Sequence, residues 1–107
     1  MTTEFAQLGL ISQLEQTVSD LGYITPTPIQ SEIIPLMLDG HDVIAQAQTG
    51  TGKTASFSLP ILHLLASTQR PQAHGIRALI IVPTRELAAQ VADNVDKYSQ
   101  NVNVRST

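Results

Sequence analysis

The chain contains no cysteine and no tryptophan, and its aromatic residues are two tyrosines and two phenylalanines. Without cysteine there is no disulfide framework and no thiolate metal site, which agrees with a reducing compartment. Long apolar runs are missing too. None reaches the ~18 residues that a membrane-spanning helix needs. The first residues, Met1-Thr2-Thr3-Glu4-Phe5, lack the basic-then-apolar pattern of a secretory signal. These absences lead to the expectation of a cytoplasmic protein with no membrane partner. Charge is sparse, at 14% of residues, and the net charge is −3. Bulk electrostatics therefore give no support to nucleic-acid binding, which usually shows a basic face. There is no internal repeat and no low-complexity tract. His41, His63 and His74 have neither metal-ligand spacing nor a carboxylate constellation, and they read as surface or packing residues.

What is present is enough for one small domain. The 107 residues are 42% hydrophobic and can bury a core. The most informative stretch is Ala47-Gln48-Thr49-Gly50-Thr51-Gly52-Lys53-Thr54. A polyphosphate needs many donors in a small volume. Gly50 and Gly52 allow backbone conformations that a Cβ would forbid, so successive N–H groups can point inward. Lys53 brings a charge to the β- and γ-phosphates, and the Thr54 hydroxyl can ligate Mg²⁺. The bland alternative is a glycine-rich turn with a solvated lysine. The flanks argue against it: Val43 to Ala47 has the composition of a short buried strand, and helical apolar spacing follows at Phe57, Ile61, Leu62 and Leu65. A strand, this loop and a helix N-terminus together form an anion site.

The remaining pattern predicts the frame around that loop. Ile11, Leu14, Val18 and Leu21 have helical spacing, with Gly22 as the stop. Thr25-Pro26 is a turn. Thr27 and Pro28 open a second helix as N-cap and first residue, with Ile29, Ile33, Leu36 and Met37 as its apolar face. Pro35 should kink it, as Pro60 should kink the helix expected over about 52–65. Asp39-Gly40 ends the second helix. Residues 66–76 read as a polar loop. Ala78-Leu79-Ile80-Ile81-Val82 reads as a strand buried on both faces of a parallel sheet. Thr84 caps a last helix whose stripe is Leu87, Val91, Val95 and Tyr98. Val102 and Val104 read as the opening of a third strand. The order predicts an α/β fold, a parallel sheet flanked by helices with right-handed crossovers. Phosphate would sit at the carboxyl end of the strand at 43–47.

Three segments carry a family resemblance. Phe5, followed by Gly22-Tyr23 and Pro26-Thr27-Pro28-Ile29-Gln30, resembles the Q motif of DEAD-box RNA helicases. Ala47 to Thr54 resembles their motif I, and Pro83-Thr84-Arg85-Glu86-Leu87-Ala88 resembles motif Ia. The resemblance implies a P-loop NTPase of RecA-like fold, with 1–31 as the Q-motif region. Residues 32–107 would be the N-terminal part of the first RecA-like domain, ending before the Asp-Glu-Ala-Asp motif. It implies ATP and Mg²⁺ as cofactors, RNA as partner, and a second RecA-like domain in a longer parent chain. The parent would separate short RNA duplexes or remodel RNA–protein complexes at the cost of ATP, and the 107 residues alone would be inactive and prone to self-association.

The resemblance also assigns residues. Phe5, Tyr23, Thr25, Gln30, Gln48, Thr49, Gly50, Thr51, Gly52, Lys53, Thr54 and Ala55 would line the nucleotide site. Lys53 and Thr54 would serve catalysis, with Thr54 on the metal. Pro83, Thr84 and Arg85 would contact the RNA backbone. Each has a plainer reading. Thr27-x-x-Gln30 is a complete capping box, while the resemblance has Gln30 pair its donor and acceptor with the adenine edge; the amide has capacity for both. Phe5 is an ordinary apolar anchor or a partner of the base ring. Tyr23 is a packing residue with a wet hydroxyl or a wall of the site. Thr84 and Arg85 are an N-cap and an exposed cation or phosphate contacts, and Glu86 is a first-turn acid that favours the helix dipole. Two other readings remain open at this point: a RecA-type DNA motor, and a nucleotide-binding module without catalysis.

Overall fold

A computed structural model of the chain describes residues 4–46, 52–67, 76–102 and 104. Among these, a short 3₁₀ turn at Glu4–Leu8 precedes four α-helices: α1 (Ser12–Asp20), α2 (Pro28–Leu38), α3 (Lys53–Ser67) and α4 (Arg85–Tyr98). Two of the four helix starts have a local chemical cause. At α2 the capping box forms as its sequence requires: the Gln30 N–H donates to Thr27 Oγ1 at 3.4 Å, and Gln30 Oε1 accepts from the Thr27 N–H at 2.9 Å. At α4 the Leu87 N–H donates to Thr84 Oγ1 at 3.2 Å. At α1 the residue before the helix is Ile11, which has no capping side chain. Its own N–H is taken up from a distance, by Nδ1 of His63 on α3 at 3.0 Å.

The ends of α1 and α2 share one geometry. Gly22 (φ +85°) and Gly40 (φ +86°) adopt the left-handed conformation that ends a helix without a Cβ penalty. Beyond them, the Tyr23 N–H reaches the Val18 carbonyl at 2.8 Å and the His41 N–H reaches the Leu36 carbonyl at 3.0 Å. These bonds fix where the chain goes next, so the position of Tyr23 is set by the helix stop before it. α2 and α3 run through Pro35 and Pro60 as continuous helices.

The core joins all five elements: Phe5, Leu10, Leu14, Val18, Ile34, Ala55, Leu59, Leu62 and Tyr98 are buried together. At about 1.5–3 kcal/mol for a large apolar side chain taken out of water, this cluster holds the helices against one another. The buried positions differ in part from the expected stripes. On α2, Ile33 and Ile34 are buried while Leu36 is 43% exposed; on α4, Leu87 is exposed.

The expected strands are not formed at their described residues, 43–46 and 78–82. Residues 41–46 and 76–82 run without strand pairing, and no strand occurs among the described residues. Ile44, Leu79 and Ile81 stand in solvent, 101%, 76% and 84% exposed. The reason is physical: a strand of the buried type needs neighbours on both edges and cover on both faces, and the described residues provide neither. Val102 lies in a bend after α4 rather than in a third strand, and residue 103 lies outside the described residues. So do Ala47, the end of the first expected strand, and 68–75, the body of the expected polar loop with His74.

Candidate nucleotide-binding site

The ends of α1 and α4 and the starts of α2 and α3 meet at a cleft of about 440 Å³. Phe5, Tyr23, Thr25, Gln30, Gly52 and Ala55 line it, so six of the residues singled out in the sequence are brought together. Lys53 is the exposed first residue of α3 and Thr54 its half-buried second. Gln48, Thr49, Gly50 and Thr51 lie outside the described residues. Pro83, Thr84 and Arg85 are exposed at the N-terminus of α4 and do not line the cleft.

Gln30 is the hinge of the arrangement. It is 4% exposed. Its Oε1 completes the capping box, and its Nε2 donates to the Gly52 carbonyl at 3.2 Å. One side chain thus ties the start of α2 to the start of α3, the helix that follows the glycine-rich loop. Gly52 is required there for two reasons. Its φ is +82°, and a Cβ would run into the Gln30 amide. The Gly52 carbonyl also accepts the Ser56 N–H at 3.1 Å, the first bond of α3. The N–H groups of Lys53, Thr54 and Ala55 precede that bond and have no place in the helix ladder. They leave a donor-rich, partly positive end beside Lys53, a geometry suited to an anion.

The opposite wall is aromatic. The rings of Phe5 and Tyr23 have centroids 6.1 Å apart and are tilted by 33°; Tyr23 and Tyr98 meet edge to face at 6.2 Å and 65°. Phe5 lines the cleft although it is only 1% exposed, so its main contact is the core. The expected wet hydroxyl of Tyr23 is bonded instead to the Tyr98 hydroxyl, at 3.2 Å. Burial, then this hydrogen bond and the nearby Tyr23, push the Tyr98 phenol well above its ordinary range, so it stays neutral. Tyr98 read as plain core in the sequence. Its polar tip at the end of an apolar stripe was the available signal that it also faces a site.

The described histidines are surface and packing residues, as expected. His41 does have a carboxylate beside it, Asp39 at 3.1 Å, in an exposed pair. His63 is the acceptor for Ile11 described above, and burial lowers its pKa.

A family model described as DEAD/DEAH box helicase matches residues 27–107. The chain belongs to this family. It is 47% identical, over 94% of its length, to the ATP-dependent RNA helicase DeaD of Klebsiella pneumoniae, and covers 15% of that protein. A DEAD box protein from the hyperthermophile Methanococcus jannaschii superposes with a TM-score of 0.82 at 40% identity, over 96% of this chain and 27% of that one. Saccharomyces cerevisiae Dbp5 bound to RNA and ADP BeF3 gives 0.80 at 33% identity, over 94% and 25%. The fold is therefore that of the RecA-like α/β domain of DEAD-box proteins, with the two extended segments where the sequence pattern called for strands. The chain spans 15–20% of the length of the curated relatives it matches.

Proposed function

We propose that this DEAD-box chain is the ATP-binding portion of an ATP-dependent RNA helicase that separates short RNA duplexes or remodels RNA–protein complexes. Residues 1–31 form its base-recognition region, and 32–107 the first part of its first RecA-like domain, which would close on a second one. The observation that carries the reading is the Gln30 bridge: a nearly buried carboxamide in the cleft, hydrogen-bonded to the first carbonyl of the helix that opens on Lys53 and Thr54.

The residues fit ATP in two parts. The base enters the cleft, where the Gln30 amide has one N–H and one lone pair left to offer the donor and acceptor edge of adenine. The phosphates lie at the start of α3, against its first-turn N–H groups and Lys53. When bound, Mg²⁺ would neutralise phosphate charge, and the Thr54 hydroxyl would help to hold it. Among the described residues no three His, Cys, Asp or Glu side chains cluster as a metal site. The Asp-Glu-Ala-Asp motif does not occur in these 107 residues, and on this reading they alone would not turn over ATP. RNA contact falls to Pro83, Thr84 and Arg85 at the α4 N-terminus, where exposed donors suit phosphate oxygens. The compartment proposed is the cytoplasm.

The test uses the full-length protein. Lys53→Ala should raise the Kd for ATP at least ~10-fold, the equivalent of a lost charge-assisted hydrogen bond. Gln30→Ala should weaken ATP more than GTP. Unchanged ATP affinity in the lysine variant would remove the phosphate assignment, and an unchanged ATP-to-GTP ratio alongside a lower Tm would leave Gln30 as a cap alone. Activity on DNA in place of RNA would replace the helicase reading with that of a DNA motor.

A further inference from the structure

We propose that Tyr98 is a positioning residue for nucleotide binding: through its hydroxyl it holds the Tyr23 ring in the wall of the base cleft. The inference rests on the nucleotide reading above.

Tyr23 has its backbone fixed by the stop of α1, yet its side chain is only half-buried. The ring needs a second restraint to keep one place beside a ligand. Phe5 offers a tilted contact, which is not directional enough to fix a rotation. Tyr98 offers a directed one, edge to face with its hydroxyl 3.2 Å from that of Tyr23. Packing alone does not call for that hydroxyl, since the end of an apolar stripe is served equally by phenylalanine or leucine. A buried phenol left without a partner is costly, so the pair is held from both sides. Tyr98 is 3% exposed and stays neutral, with its proton available.

Tyr98 is itself anchored relative to α1. Three residues on, Asn101 Nδ2 donates to Thr17 Oγ1 at 2.8 Å, and Thr17 Oγ1 donates to the Gln13 carbonyl at 2.9 Å. The Val102 N–H closes a turn on the Ser99 carbonyl. The end of α4 is thereby fastened to the helix that delivers Tyr23. The consequence is a rigid three-ring wall, Phe5, Tyr23 and Tyr98, in the same cleft as the Gln30 amide. A base on that wall meets the amide at one height, so loss of the restraint weakens binding without removing any group that touches the base edge.

The experiment measures ADP affinity, ATP KM and kcat, and Tm in the full-length protein and in Tyr98→Phe, Tyr23→Phe and the double variant. Tyr98→Phe keeps the ring and removes only the hydroxyl. Its expected effect is an ADP Kd raised about three- to tenfold, the range of one lost hydrogen bond. KM should rise more than kcat falls, and Tm should change little. Tyr23→Phe should match it in ADP affinity but lower Tm more, because it leaves the buried Tyr98 hydroxyl unpaired, and the double variant should bind no more weakly than either, because both substitutions break one bond. An ADP Kd at the wild-type value in Tyr98→Phe, or effects that add in the double variant, would overturn the proposal. Should Tyr98→Phe fold poorly, the Tyr23→Phe comparison decides in the same way. Failure of the wild-type protein to bind adenine nucleotide is a separate result: it overturns the nucleotide reading and this proposal with it.

Discussion

Gly52 is placed under two independent demands, a left-handed φ and the close approach of the Gln30 amide. Gly52→Ala should therefore lower stability by about 1–3 kcal/mol through backbone strain. It should also push Gln30 away and weaken nucleotide binding. Thermal melts with and without ADP separate the two effects, because a purely local strain would leave the ligand-induced rise in Tm unchanged. His63 gives a second prediction at this scale. Its Nδ1 accepts the Ile11 N–H only while the ring is neutral, and burial lowers its pKa below the ordinary 6.5. The unfolded chain binds the proton more tightly, so stability rises with pH in this window. The contribution should be fully present above pH ~6.5 and disappear as pH falls through the lower folded-state pKa. Urea titrations from pH 5 to 7.5 should show this slope in the wild type and a shallower one in His63→Leu. Equal slopes would mean that the bond contributes nothing.

The helices show which sequence signals were sufficient. Thr27-x-x-Gln30, Thr84, Gly22 and Gly40 act within one turn of themselves, and each does in the structure what its chemistry predicts. Buried faces were less readable because they depend on partners. Ile34 and Leu59 are fully buried although neither belonged to the expected stripes, since the packing of α2 on α3 selects the face and the periodicity does not. Gln30 was legible as a cap, but its bond to Gly52 spans 22 positions and no local pattern announces it. The Tyr23–Tyr98 pair, 75 positions apart, was hidden for the same reason. At the start of α4, Arg85 projects into solvent beside the Thr84 cap and the first-turn N–H groups. Arg85→Ala in the full-length protein should weaken RNA binding uniformly across sequences and reduce the slope of log affinity against log salt by about one. ADP affinity measured without RNA should not change. A salt slope identical to the wild type would place the RNA contact elsewhere.

Across the whole molecule, the helical part is satisfied while the extended segments are not. Phe5, the four helices and Tyr98 share one core, but Ile44, Ile76, Leu79 and Ile81 face water, each more than three-quarters exposed. Their sequence is that of buried strands, and their backbone runs without strand pairing. Apolar side chains on a segment outside any strand ladder form a template for another extended chain. The 107-residue chain in isolation should therefore self-associate, and the net charge of −3 is too small to prevent it at moderate salt. Sedimentation velocity over a concentration series should show oligomers that grow with concentration. Leu79→Lys combined with Ile81→Lys should shift the chain toward monomer, because two like charges on one segment oppose its pairing with a copy of itself. The core carries neither residue, so the helical circular dichroism should persist in that variant. Oligomers that survive the double substitution would move the contact to the helices, with the exposed Leu36, Leu64 and Leu87 as the next surface to test.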